Sequence, residues 1–471
     1  MAPDPPSHVS GKRPAPALNF GHSPPVTDFW QRLAREALSL PTPAPFYIFS
    51  ALPIGDRIRE LDQALGGAGF QTGNPPSLRS GASSRPPKIV CRHWLSCKTQ
   101  PVAALLRWWR GQNRPIEVVS EFELRAALAE GFEPQNILLN GPAKHHWLPQ
   151  ICGAPVSARA RFTRKHQRAG SETGAPLWHD LSVNFDSPAE VAALLPLARK
   201  LNWRCGVRVN TNEEFDPENP EFPTQFGFTP DEAVTALKKM LRAKTRLETV
   251  SFHLRTNISC AQIYQRAIAE VAEVCRTAGF NPQFLDLGGG LPVRNVLTRG
   301  GRVFDGEFSP RAFAEMLRQA AKAFPGLREI WLENGRFVSA GSGVLVVKIL
   351  DLKERRGLRQ FICDGGRTLN ALTSLWEQHR IVSLPKRAGA TTLTAVHGPT
   401  CMAFDQLARV PLPRSLRPGD HLIWLDAGAY HIPWETRFSH GHAAVLWHDG
   451  QRLQLARGRQ GFQNWWGQWM M

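Results

Sequence analysis

Lys98 follows the apolar run Ile89–Cys97, and an ammonium at the end of a buried run is costly unless it is paired or neutralised. Burial lowers a lysine's pKa and frees its lone pair, so an amine placed there is suited to form an imine with an aldehyde. A lysine just past a strand edge can also extend its stem to water, so Lys98 alone decides nothing. Three other run ends add to it. Val250-Ser251-Phe252 leads into His253, Phe284–Leu287 leads into Gly288-Gly289-Gly290, and Glu329–Leu332 leads into Glu333-Asn334-Gly335-Arg336. Consecutive glycines let the backbone approach an anion closely and cradle it with N–H groups. A carboxylate beside such a cradle can hold a ring nitrogen protonated, and an imidazole can lie flat on the same ring.

These ends act together only if one scaffold gathers them. From about residue 88 to 335, short β-branched runs alternate with amphipathic stretches of period 3.6, the pattern of a parallel sheet with crossover helices. The runs are Ile89–Cys97, Glu117–Val119, Ile137–Leu139, Leu181–Asn184, Gly206–Val209, Thr249–His253, Gln283–Leu287 and Glu329–Leu332. Eight such strands predict a (β/α)8 TIM barrel, an α/β fold whose active site lies at the carboxyl ends of its strands. Phosphate sites in this fold commonly use the loops after strands seven and eight, which here carry Gly288–Gly290 and Gly335-Arg336.

After Gly341 the helical pattern gives way to alternating runs: Val344–Leu352, Arg359–Cys363, Thr392–Val396, His421–Trp424, Ala443–Trp447 and Leu453–Leu455. The expectation is a flexible tail over 1–40, a barrel over 41–340 and a β-rich, sandwich- or barrel-like domain over 341–471, with the first strand possibly joining the latter. Thr72–Lys88 and His166–Leu177 are polar and read as surface insertions of open role. Trp465, Trp466 and Trp469 are expected to pack on another surface.

Composition narrows the partners. No apolar run approaches the ~18 residues of a membrane helix, so no membrane association is expected. The first residues lack a secretory apolar core, and the eight cysteines show no metal spacing, which together point to reduced thiols in the cytoplasm. The net charge of +17 is spread along the chain; its densest run, Arg161, Arg164, Lys165 and Arg168, lacks aromatic partners, so nucleic acid is not expected.

Taken in order, these segments resemble the diaminopimelate/ornithine/arginine decarboxylase family of fold-type III pyridoxal-5'-phosphate (PLP) enzymes. The likeness runs through Pro45–Ile48, Leu95–Pro101, Val118–Leu124 continuing to Phe132, His253–Thr256, Leu285–Pro292, Glu333–Arg336, Gly398–Cys401 and Asp426–Tyr430. The resemblance implies that Lys98 carries PLP as a Schiff base, that His253 stacks on the ring, and that Thr256, Gly288, Gly289, Gly290, Gly335, Arg336 and Tyr430 hold the phosphate. It also implies Glu333 at the ring nitrogen supported by Arg208, with Glu117 where the family has Asp. A head-to-tail homodimer follows, in which Cys401 of one subunit reprotonates the substrate carbon in the other.

The departures concern the substrate end. Met402 stands where the family keeps an acid for a distal amine, Arg255 replaces a glycine, and the family's R-P-x-L-Y has become Leu372-Thr373-Ser374-Leu375-Trp376. A desolvated ammonium needs a carboxylate partner, so decarboxylation of something other than ornithine or diaminopimelate is expected, with Arg255 a counter-ion for an anionic or conjugated amino acid. Alternatives are an amino-acid racemase or other PLP chemistry on the same barrel, or a non-catalytic regulatory homologue.

Overall fold

The computed structural model describes residues 24–73, 88–153, 178–215, 224–293, 296–298, 308–370, 373 and 377–470. The run Arg161–Arg168, nearly all of Thr72–Lys88, His166–Leu177 and the substituted segment around Leu372–Trp376 except Thr373 therefore lie outside the described residues.

Eight parallel strands close into a barrel. They are Val90–Ser96, Ile116–Val118, Ile137–Leu139, Ser182–Phe185, Arg204–Arg208, Leu247–Ser251, Phe284–Asp286 and Glu329–Asn334. Each falls on an expected run, because a barrel strand packs against the interior on one face and crossover helices on the other and so reads as near-continuous apolar sequence. The helices Pro188–Lys200, Pro230–Arg242 and Ala261–Ala278 start from Ser187, Thr229 and Cys260, and the first two of these caps accept a backbone N–H.

Register sets which residues share a level. Ser96 is opposite Glu117, Glu117 opposite Leu138, and Glu333 opposite Trp94. The interior is layered accordingly. At the floor Arg92 pairs with Glu329 through two bonds of 2.9 and 2.8 Å. Above it Trp94, Leu138 and Trp331 form their own apolar cluster, with Trp94 and Phe284 rings 4.7 and 5.0 Å from Trp331. The top layer is polar and faces the strand ends.

A second, nine-stranded sheet holds the remaining long strands. Phe46–Ser50 lies within it, antiparallel to Gly343–Arg355 and parallel to Ala444–His448, so the first strand of the described chain is part of this sheet. Two of its strands, Ile381–Leu384 and Gln406–Pro413, were not anticipated. The latter contains Pro411 and Pro413 and ends the strand order, where a missing N–H costs no ladder bond.

One expectation is corrected. Residues 24–39 are not tail but a helix, Pro24–Ser39, that buries Trp30, Leu33, Ala34 and Ala37 and donates Gln31 Nε2 to Ser383 O at 2.7 Å. Trp465, which bonds Arg437 O at 2.9 Å, has the rings of Trp466 and Trp469 6.4 Å away, and both of these leave much of their surface exposed. Among the described residues no helix is long and apolar enough to cross a membrane.

Because Trp331 is the shared partner of Trp94 and Phe284, Trp331→Ala is expected to destabilise the barrel by ~3–5 kcal/mol, read from the urea midpoint. An unchanged midpoint would show that the aromatic layer does not support the barrel.

Candidate active site

The top interior layer and the strand ends enclose a cavity of about 350 Å³ lined by Lys98, Glu117, Asn140, Arg208, His253 and Glu333, within the usual size range of small-molecule sites. Lys98 sits in a short turn, Cys97–Thr99, that ends the first strand and aims its side chain inward. Its Nζ lies 3.2 and 3.4 Å from the two carboxylate oxygens of Glu117. Burial disfavours the ammonium, but Glu117 and Glu333 outweigh it and raise its pKa. The lowered pKa expected from burial alone is therefore corrected: in this chain Lys98 is charged and paired.

Glu117 is fully buried and also accepts Ser96 Oγ at 2.5 Å and Asn140 Nδ2 at 3.3 Å. The same Asn140 amide donates to Glu333 Oε1 at 2.6 Å. Asn140 Oδ1 accepts Asn184 Nδ2, which also donates to Asp286 Oδ2 at 2.9 Å. One asparagine thus separates two carboxylates, and a second leads to a third. The two strand-end acids part in character. Burial would raise Glu333, but His253, Lys98 and Arg208 hold it below the usual carboxylate range. Asp286 is raised by burial and by the charge of Glu333, so it keeps its proton beneath an ionised neighbour.

His253 lies two residues past its strand, a third exposed to the cavity. Its Nδ1 accepts the Gly289 N–H at 3.1 Å and lies 3.4 Å from Glu333 Oε2. Arg208 is tied to Glu214 at 2.9 Å and Asp186 at 3.8 Å and stacks on Phe226, so it supports Glu333 through its charge.

The glycine loop is closely built. Gly288 and Gly290 have φ of +61° and +97°, and a Cβ on them would come within 2.5 Å of His253 Nδ1 and 2.9 Å of Arg255 O. A Cβ on Gly335 would lie 3.1 Å from Thr99 Oγ1 and 3.3 Å from the Tyr430 hydroxyl. Tyr430 is held in the left-handed region at φ +66° by its N–H bond to Thr99 O, a strain usually reserved for functional positions. Arg336 stacks over Tyr430 at 5.0 Å and pairs with buried Glu377. Thr99 Oγ1 and Arg336 Nε are buried without partners among the described residues. A phosphate fits this cradle, and the Lys98 amine with Glu333 fits an aldehyde on a pyridine ring.

The remaining predicted residues lie at or outside the rim. Thr256 is exposed, in a segment whose Ile258 N–H bonds Gly290 O at 2.8 Å. Arg255 directs Nη1 to Glu213 O and Phe215 O and does not line the cavity. Cys401 is exposed in a turn pinned by Asp405, whose Oδ2 accepts the Thr400 N–H at 3.0 Å; neither Cys401 nor Met402 lines this chain's cavity. Asn140 and Asn184 were missed, although Asn140 ends the third strand and the rule that selects Lys98 would have found it. Lys144 was missed because the sequence carries no local signal for it: it is fully buried against Glu190, 2.8 Å away and far along the chain, and fixes the loop bearing Gly141 and Pro142.

A barrel with this cradle and this amine defines an enzyme that uses PLP. Residues 163–340 match the family model described as the pyridoxal binding domain of pyridoxal-dependent decarboxylases. The diaminopimelate decarboxylase of Deinococcus radiodurans is 28% identical over 379 residues, covering 80% of this chain and 88% of that protein. That of Zymomonas mobilis is 24% identical over 434 residues, covering 89% and 91%. Among solved structures, diaminopimelate decarboxylase from M. jannaschii in complex with L-lysine superposes with a TM-score of 0.73 at 18% identity, covering 94% of each chain. The Paramecium bursaria Chlorella virus arginine decarboxylase bound to agmatine gives 0.66 at 18%, covering 89% of this chain and 100% of that one. The match over 163–340 and the curated relatives support a PLP-dependent amino-acid decarboxylase, and the solved decarboxylases share its fold.

Glu123 gives a pH test of the cavity wall. It accepts the N–H of wall residue Val119 at 2.9 Å, and burial, aided by Glu117, raises it from 4.5 to about 7. Between those values the folded chain holds a proton that the unfolded chain releases, so this group costs stability as pH rises. Glu123→Gln is expected to gain urea midpoint over wild type at pH 8 and little at pH 4.5; an equal gain at both would refute the shift.

Proposed function

We propose that the chain removes the α-carboxylate of an amino acid whose amine takes the place of Lys98 on the cofactor, and that the distal end of this amino acid carries no free ammonium. The observation that carries the first part is the convergence of Lys98, Glu117, His253 and Glu333 on one cavity. PLP, when bound, accepts the electron pair left on the α-carbon as carbon dioxide departs.

The chain's residues divide the remaining work. Glu117, within bonding distance of Nζ, would accept the proton that Lys98 gives up for its amine to hold an aldehyde. Glu333, kept ionised by its neighbours, holds a proton on the ring nitrogen, and the Asn140 amide fixes the carboxylate for that task. His253 bounds the ring's face, and Gly288–Gly290, Gly335, Thr99 and Tyr430 receive the phosphate. Asp286, protonated below, avoids adding a second negative charge beside Glu333.

Cys401 completes the site in trans. Its exposure, and its absence from the cavity of its own chain, support a head-to-tail homodimer in which a second copy brings the thiol to the α-carbon and protonates it. All eight cysteines are free, which supports a reducing, cytoplasmic setting.

Met402, next to that thiol, sets the substrate class. A thioether offers an ammonium no counter-charge, so a distal amine would be left desolvated and unpaired. We take the distal group to be uncharged or anionic, with Arg255, anchored by Glu213 O and Phe215 O, supplying positive charge at the rim.

Carbon dioxide release from the PLP-loaded enzyme tests this. Acylated and acidic amino acids are expected to react and diaminopimelate, ornithine and arginine to react at least ~10-fold more slowly, the cost of one poorly solvated charge. Preference for a diamino acid would overturn the substrate reading, and return of the opposite enantiomer without carbon dioxide would overturn decarboxylation. Mixing inactive Lys98→Ala and Cys401→Ala chains should restore about a quarter of the wild-type activity through hybrid dimers. No recovery, with subunit exchange verified, would place Cys401 outside the partner's site.

A further inference from the structure

Behind the phosphate cradle lies a group of side chains that the decarboxylation site does not use. Glu377, His379 and His431 are all buried, and one donor atom from each lies within 4.8 Å of the others. Glu377 and His379 belong to one strand, Glu377–His379, and His431 to the turn after Tyr430.

The hydrogen bonds of His379 define its tautomer. Its Nδ1 lies 2.9 Å from Leu425 O, a group that only accepts, so Nδ1 carries the proton. In the neutral ring Nε2 then presents a lone pair, and it faces Glu377 Oε2 at 3.0 Å. Two lone pairs at that separation repel unless a cation lies between them. His431 makes the same point independently. Its ring packs edge-on to His379 with centroids 5.0 Å apart, and neither nitrogen has a partner among the described residues although the residue is 1% exposed. Leaving a buried imidazole with no hydrogen bond is unfavourable, and a neutral imidazole is also the commonest metal ligand.

We propose that Glu377, His379 and His431 bind a divalent transition-metal ion of the zinc type. Two imidazoles and a carboxylate are a known zinc donor set, and the N···O separation of 3.0 Å would open by only a few tenths of an ångström to the ~3.3–3.4 Å that two tetrahedral ligands ~2.0–2.1 Å from one ion subtend. The surroundings are those of a metal site. The ring N–H of the ligating His379 is fixed by a backbone carbonyl, and the other oxygen of Glu377 is bound by Arg336. Glu377 and His379 also line a cavity of about 390 Å³, which gives the ion an entry path and leaves a fourth position for water.

The ion would tie the Glu377–His379 strand to the turn that carries Tyr430, and through Glu377 would fix Arg336. Its role is structural support of the phosphate cradle, since no ligand reaches the cavity of Lys98. The excess positive charge of an ion beside Arg336 would be offset by a phosphate in that cradle. Because the site is built from residues outside the reaction, the proposal stands or falls apart from the substrate reading.

The test is the metal content of untagged, full-length enzyme after exhaustive dialysis, with and without added Zn2+, followed by Co2+ substitution read by visible absorption. We expect about one equivalent of metal per chain and cobalt bands of a four- or five-coordinate site. His379→Gln and His431→Gln, checked for folding by circular dichroism, should each lower the bound metal at least ~10-fold. Metal-free wild-type enzyme that takes up no Zn2+, or metal content unchanged in folded variants, would overturn the proposal and leave a proton on His379 Nε2 as the cation that joins it to Glu377.

Discussion

The structure turns on the problem of holding ionisable groups in a dry barrel mouth. Glu117, Glu333 and Asp286 are buried on neighbouring strands, and three carboxylates at that spacing cannot all be charged without compensation. The chain resolves this with two asparagines and a lysine. Asn140 bridges Glu117 and Glu333, Asn184 joins Asn140 to Asp286, and Lys98 supplies the positive charge that Glu117 faces. Burial and the charge of Glu333 raise the pKa of Asp286, so of the two strand-end acids it is Glu333 that keeps its charge.

Everything below and around this layer keeps it in place. The tryptophan layer fills the barrel directly beneath it, and the register of the parallel strands sets Ser96 opposite Glu117 and Glu333 opposite Trp94. Buried Lys144 and Glu190 fix the loop that follows Asn140. The second sheet contributes Tyr430, strained into the left-handed region so that its hydroxyl lies near Gly335. Cofactor chemistry on this barrel therefore depends on a sheet that is distant in sequence.

Much of this was legible in the sequence, for physical reasons. Barrel strands must be apolar on both faces, so all eight appear as runs, and a site confined to strand ends makes Lys98, His253, Gly288–Gly290 and Glu333 readable once the runs are counted. What escaped was set by tertiary context. The helix Pro24–Ser39 follows a proline-rich stretch that masks its periodicity, and Gln406–Pro413 carries prolines that only an edge strand tolerates. Asn140 and Asn184 look like ordinary polar residues until the barrel places them between acids. The pairing of Lys144 with Glu190, of Arg336 with Glu377 and the approach of His431 to His379 join segments whose separation along the chain leaves no local signal. The direction of the Lys98 shift was misjudged for the same reason, since its sign depends on a carboxylate from the next strand.

The central claim, that Lys98 is the amine that holds the cofactor, is tested most directly by reducing the PLP-loaded enzyme with borohydride and mapping the adduct by peptide mass spectrometry. The account predicts one equivalent of reduced adduct per chain, located on Lys98 and lost in Lys98→Ala. An adduct on Lys144 or on a surface lysine, with Lys98 unmodified, would contradict it.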